Sequence, residues 1–78
     1  MKSAKEMFED LGYEYSFDNR RDEFVIHYWK DQDTLDWKHI CFYEHTYEAD
    51  EKWESMSVDM PTFKAIKKQC EELGWLDE

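Results

Sequence analysis

Glycine is almost missing from this chain of 78 residues, which has two glycines, Gly12 and Gly74, and one proline, Pro61. Phosphate-cradling loops need several glycines at which backbone and ligand approach closely, so nucleotide binding through such a motif is excluded. Cysteine is scarce too. Cys41 and Cys70 are too few for a disulfide scaffold and suit a reducing compartment, though a pair leaves one bridge open. Positive charge is in short supply, with 10 Lys and Arg against 20 Asp and Glu and a formal net charge of −10. That excess repels phosphates and anionic lipid surfaces, which disfavours direct contact with DNA, RNA or a membrane. No apolar run approaches the ~18 residues of a membrane span, and residues 1–5 lead into an amphipathic helix, not a signal-peptide core. A cytoplasmic location is the expectation.

What the chain has in quantity is aromatic side chains and carboxylates. Four Trp, five Tyr and five Phe make up 18% of the residues. A chain of this length buries only about 60–65% of the surface its unfolded form exposes. Large rings, each able to bury on the order of 150–250 Å², let few residues build its core.

The pattern along the chain predicts one α+β domain over residues 1–78 with the order αββββα. Ser3-Ala4-Lys5-Glu6 has the form of a capping box, and Ala4, Met7, Phe8 and Leu11 make an apolar stripe that stops at Gly12. From Tyr13 the period becomes two: Tyr13, Tyr15 and Phe17 alternate with Glu14 and Ser16, and the polar run 18–22 reverses the chain. Phe24 to Trp29 is a strand with both faces occupied, residues 31–33 turn, and Leu35 to Tyr43 is a third strand. Residues 44–52 read as a polar acidic connection, and Trp53 to Val58 as a fourth strand. A closing helix carries Pro61 in its first turn, Phe63, Ile66, Cys70 and Leu73 as its buried stripe, and Gly74 as its stop. Short polar turns imply an antiparallel four-stranded meander with both helices packed on one face.

Phe8-Glu9-Asp10-Leu11-Gly12-Tyr13 and Cys70-Glu71-Glu72-Leu73-Gly74-Trp75 share an order of apolar, acidic, acidic, Leu, Gly, aromatic. One C-terminal capping solution used twice accounts for this without a duplication.

Alternation then places Val25, His27, Trp29, Trp37, His39, Cys41, Tyr43 and Trp53 on the sheet face that the helices leave open. Such a face usually reads polar. No catalytic residues are assigned: Cys41 or Cys70 with His27, His39 or His45 matches no nucleophile motif, and a core cysteine is ordinarily a small hydrophobe. His39 and Cys41, with His27 across from them, are one loose pair, whereas structural zinc brings ligand pairs from two places; no metal and no cofactor are expected.

The opening Ala4-Lys5-Glu6-Met7-Phe8-Glu9-Asp10-Leu11-Gly12-Tyr13 and the closing Lys64-Ala65-Ile66-Lys67-Lys68-Gln69-Cys70-Glu71-Glu72-Leu73-Gly74-Trp75 resemble the ends of a group of small, functionally uncharacterised proteins encoded by phages and prophages of Gram-positive bacteria. Many of that group have Asn where this chain has Lys67. The resemblance implies a small, intracellular, phage-related accessory role and brings no catalytic or binding residues with it.

The functional expectation is a non-enzymatic module that binds a host or phage protein through the aromatic sheet face and its acidic rim. The residues that carry this expectation are Trp29, Trp37, Tyr43 and Trp53, with Asp31, Asp33, Asp36 and Glu44 as rim carboxylates. One form of it is mimicry of nucleic acid, with clustered carboxylates occupying a basic groove on host machinery. The alternative is a homodimer in which the aromatic face buries itself against its own copy.

Overall fold

Ser3 starts the first helix: its hydroxyl accepts from the Glu6 N–H at 3.2 Å and the Glu6 carboxylate accepts from the Ser3 N–H at 3.1 Å. The computed structural model describes residues 1–20 and 23–76. Its elements are α1 (Ala4–Asp10), β1 (Glu14–Arg20), β2 (Glu23–Lys30), β3 (Lys38–Tyr43), β4 (Thr46–Glu51), β5 (Glu54–Ser55) and α2 (Met60–Glu72). All strand pairs are antiparallel and the sheet order follows the chain, β1-β2-β3-β4-β5, so the sheet is a meander. No described helix is long and apolar enough to cross a membrane.

Both helices end the same way. In α1 the Tyr13 N–H donates to the Phe8 carbonyl and the Gly12 N–H to the Glu9 carbonyl; in α2 Trp75 donates to Cys70 and Gly74 to Glu71, all at 3.0 Å. Gly12 at φ 94° and Gly74 at φ 75° take the left-handed conformation that this Schellman arrangement demands.

The core lies between the helices and one sheet face. Ile26 and Tyr28 of β2 and Ile40 and Phe42 of β3 alternate inward and meet Phe8 of α1 and Ala65, Ile66 and Cys70 of α2. Phe8 stacks on Tyr28 at 3.9 Å between centroids, and Phe42 sits edge-on to both at 6.1–6.2 Å. One polar bond crosses this core: the buried Tyr28 hydroxyl donates to Gln69 Oε1 at 2.6 Å. Burial pushes the Tyr28 phenol well above its ordinary pKa and that of Tyr13 up to about 12, so both stay protonated donors.

Several expectations need correction. The sheet has a fifth strand, because residues 46–51 are not a loop but β4, hydrogen-bonded to β3 over its whole length. Their alternation is hidden: the inward positions are Tyr47, Ala49 and Glu51, and Glu51 is acceptable there because it lies across from Lys38, with Nζ to Oε1 at 3.5 Å. The strand expected at 53–58 shrinks to Glu54–Ser55, although Met56 and Val58 still pack on the core. Within α2 the buried face is Thr62, Ala65, Ile66, Gln69 and Cys70, while Phe63 is 45% exposed. Two polar residues hold that rotation: Gln69 accepts from Tyr28, and Thr62 is hydrogen-bonded to Tyr13. The reversal expected at 18–22 falls later than residue 20, since Asp18 to Arg20 continue β1 opposite Glu23 to Val25; residues 21 and 22 lie outside the described residues.

Candidate functional site

Register turns the open sheet face into rows. Glu14, Trp29, His39 and Asp50 are successive cross-strand partners, and the next row holds Ser16, His27, Cys41 and Glu48. Residues two apart on one strand share a face, so the rows stand side by side. His27 and His39 meet diagonally across them, with His27 Nδ1 2.8 Å from His39 Nε2 and the rings stacked at 5.0 Å. Burial, aided by the charge His27 can carry, holds the His39 imidazole below its ordinary pKa against the opposing pull of Asp50. One of the two rings is thus neutral at pH 7 and accepts the proton the other donates.

From His39 the aromatic surface continues without a break. Trp29 stacks on His39 at 4.0 Å, Trp37 tilts against Trp29 at 6.2 Å, and Trp53 stands edge-on to Trp37 at 5.2 Å. The result is a ribbon of five rings from mid-sheet to the end where the β2–β3 loop and the β4–β5 turn meet. These two connections are tied by Lys52 Nζ to Asp36 Oδ1 at 2.9 Å and by a 3.4 Å bond from the Lys52 N–H to the Trp37 carbonyl. The ion pair is exposed, and the Lys52 ammonium lowers the Asp36 carboxyl pKa. Trp53 itself is 87% exposed.

The backbone at Trp53 is unusual. Lys52 at φ 48° and Trp53 at φ 71° are the two central residues of the β4–β5 hairpin, where a two-residue turn requires positive φ and normally uses Asn-Gly. A bulky L-residue there is strained. Glu44 at φ 49° and His45 at φ 61° solve the β3–β4 turn in the same costly way. In that turn His45 stacks on Trp75 at 5.2 Å, an internal contact that offsets part of the strain.

Among the residues expected to form the site, Trp29, Trp37, Trp53, Asp31, Asp33 and Asp36 come together at this end of the sheet. Tyr43 and Glu44 do not: they sit at the opposite end of β3, about 17 Å away at ~3.4 Å per residue. Alternation groups Trp37 and Tyr43 on one face, but a six-residue strand has two ends and the tryptophans occupy only one. Sequence reasoning missed Glu14. It lines a cavity of about 350 Å³ beside Trp29, together with Asp31, Gln32, Asp33 and Thr34. Counting outward from the Arg20–Glu23 pair places Glu14 opposite Trp29, which was the available signal.

Burial, with Glu48 alongside, pushes the Cys41 thiol up and away from the nucleophilic thiolate. Among the described residues no group of three His, Cys, Asp or Glu side chains is arranged to hold a metal ion. No known family model matches the chain, and no curated protein and no solved structure is significantly similar to it.

Proposed function

We propose that this chain is a non-enzymatic binding module, a phage-related accessory protein whose ribbon of tryptophans docks a host or phage protein. The observation that carries the reading is Trp53, which stands 87% exposed on a strained left-handed backbone with its indole edge-on to Trp37. Backbone strain beneath an exposed indole favours a residue kept for an external contact. Trp and Tyr clusters rimmed by charge are the usual energetic centres of protein interfaces.

The rim specifies the partner's charge. Asp31, Asp33, Asp36 and Asp50 stand beside the ribbon, and the Lys52 ammonium there is already engaged by Asp36. A basic surface fits this, such as the groove with which a nucleic-acid-handling protein holds phosphates. The same rim weighs against a two-fold dimer through this face, which would bring these carboxylates against their own copies.

The test is capture from host lysate with wild type, Trp37→Ala and Trp53→Ala as bait, repeated at rising salt. Specific capture of a basic protein by wild type only, weakening steeply with salt, is expected. Equal capture by folded variants, or salt-insensitive capture, would count against the reading.

A further inference from the structure

The helix layer has the opposite charge character from the sheet end. Lys64, Lys67 and Lys68 lie at spacings of three and four on α2 and so share one helix face. With Met1, Met7 and Lys2 they line a groove of about 410 Å³ over α1 and α2. Glu71 is the one carboxylate in that lining. Lys2 is engaged by Asp10, and Lys68 Nζ lies 3.3 Å from the Met1 sulfur. Among the described residues neither Lys64 nor Lys67 has a carboxylate at ion-pair distance. The groove is therefore an unpartnered cationic rim around flexible, polarisable methionines, a surface able to pack against apolar side chains of varied shape.

Its complement lies on the same molecule. Residues 31–36 read Asp-Gln-Asp-Thr-Leu-Asp, and Leu35 stands 88% exposed among three carboxylates. The loop is already ordered: the Thr34 hydroxyl donates to the Asp31 carbonyl at 2.9 Å and accepts from the Asp36 N–H at 3.0 Å. Little conformational freedom remains to be lost when it docks. Because Asp36 is held by Lys52, Asp31 and Asp33 are the carboxylates left to meet foreign ammonium groups.

We propose that the lysine groove of one molecule receives the Leu35 loop of a second copy, so that chains associate head to tail. Leu35 enters between Met1 and Met7 while Asp31 and Asp33 meet Lys64 and Lys67. The contact joins two different patches and needs no two-fold axis. At physiological ionic strength the screening length is about 8 Å, so the net charge of each chain is largely screened while pairs in contact are not. This association uses the helix-layer groove and the β2–β3 loop, whose Asp31 and Asp33 also rim the tryptophan ribbon; it needs none of the tryptophans and does not depend on the binding function proposed above.

Sedimentation velocity on three proteins tests it: wild type, Leu35→Arg with a damaged loop, and Lys64→Glu/Lys67→Glu with a damaged groove. All three substituted positions are exposed, and near-ultraviolet circular dichroism verifies that each variant is folded. Wild type is expected to associate as its concentration rises to about 1 mM, with each variant weakened at least about tenfold. An equimolar mixture of the two variants is expected to form a 1:1 complex, because one brings an intact groove and the other an intact loop. Three results would overturn the proposal: a monomeric wild type throughout, self-association that either folded variant retains, or a mixture of the variants that stays monomeric. A wild type that binds an acidic peptide in the groove but never its own copy would reassign the site to a foreign ligand.

Discussion

Replacing Trp53 by glycine and, separately, by alanine isolates the backbone strain from everything else the indole does. Both variants lose the same edge-on contact with Trp37, and neither opens a cavity, because the side chain is 87% exposed. They differ in what φ 71° costs. An L-residue in the left-handed region is disfavoured by roughly 1–2 kcal/mol, whereas glycine is not. Against this, glycine loses about 0.5–1 kcal/mol more backbone entropy on folding than alanine does. The difference leaves the glycine variant about 0–1.5 kcal/mol more stable than the alanine variant, centred on about 0.75 kcal/mol, or about 3–6 °C in Tm at that centre for a domain of this size. Urea denaturation with a common m-value reads this directly. The sign is the discriminating quantity, since at an ordinary φ the alanine variant is the more stable one. Alanine measurably more stable than glycine would refute the strain at Trp53. Capture of the partner should be lost equally in both variants, because both lack the indole.

Tyr28→Phe leaves Gln69 Oε1 without its buried donor and should cost about 1–3 kcal/mol in urea denaturation, most of which Tyr28→Phe/Gln69→Leu should restore by removing both partners. Gly74→Ala should cost about 1–2 kcal/mol from backbone conformation alone, as nothing lies within 4 Å of the added methyl; Gly12→Ala should cost a similar amount, since the nearest atom, Lys30 Cε at 3.4 Å, belongs to a flexible side chain. The folded-state pKa of His39 lies below its unfolded value, so between the two the unfolded chain binds more protons and stability falls as pH drops from neutral through about 6.5. In thermal melts from pH 7.5 to 5, His39→Gln should remove this loss from the wild-type profile.

The helix ends were the most legible part of the sequence, because their signals are local. A Ser three residues before a Glu and a Gly followed by an aromatic each specify hydrogen bonds within one turn, and the structure makes those bonds at Ser3, Gly12 and Gly74. The inward alternation of β2 and β3 was legible for the same reason, being carried by residues such as Tyr28 and Ile40 that differ sharply from their neighbours. β4 was not, since Glu51 faces inward beside Lys38, and a paired charge mimics the polarity of a loop. The rotation of α2 was hidden by Gln69 and Thr62, whose burial depends on hydroxyls from distant parts of the chain. At the site, alternation put Trp29 on the open face, but Trp37 and Trp53 lie outside the strands. Their meeting depends on two connections closing against each other through Asp36 and Lys52, a tertiary event with no local signature.

The two hairpin turns bracket the function from the side of stability. Both glycines of the chain are spent on helix ends, so β3–β4 and β4–β5 turn through side-chain-bearing residues at positive φ. In the first, His45 lies against Trp75, the aromatic that follows the α2 stop, so the turn helps to anchor the C-terminal segment on the sheet. That internal contact offsets part of its strain. The second carries the largest side chain available, points it into solvent, and among the described residues meets one edge-on indole, one exposed ion pair and one long backbone hydrogen bond. Two turns with the same backbone problem thus differ in what their side chains touch. Trp53 is the one whose ring stays 87% exposed, and an outside surface laid along Trp53, Trp37 and Trp29 would give it further contact.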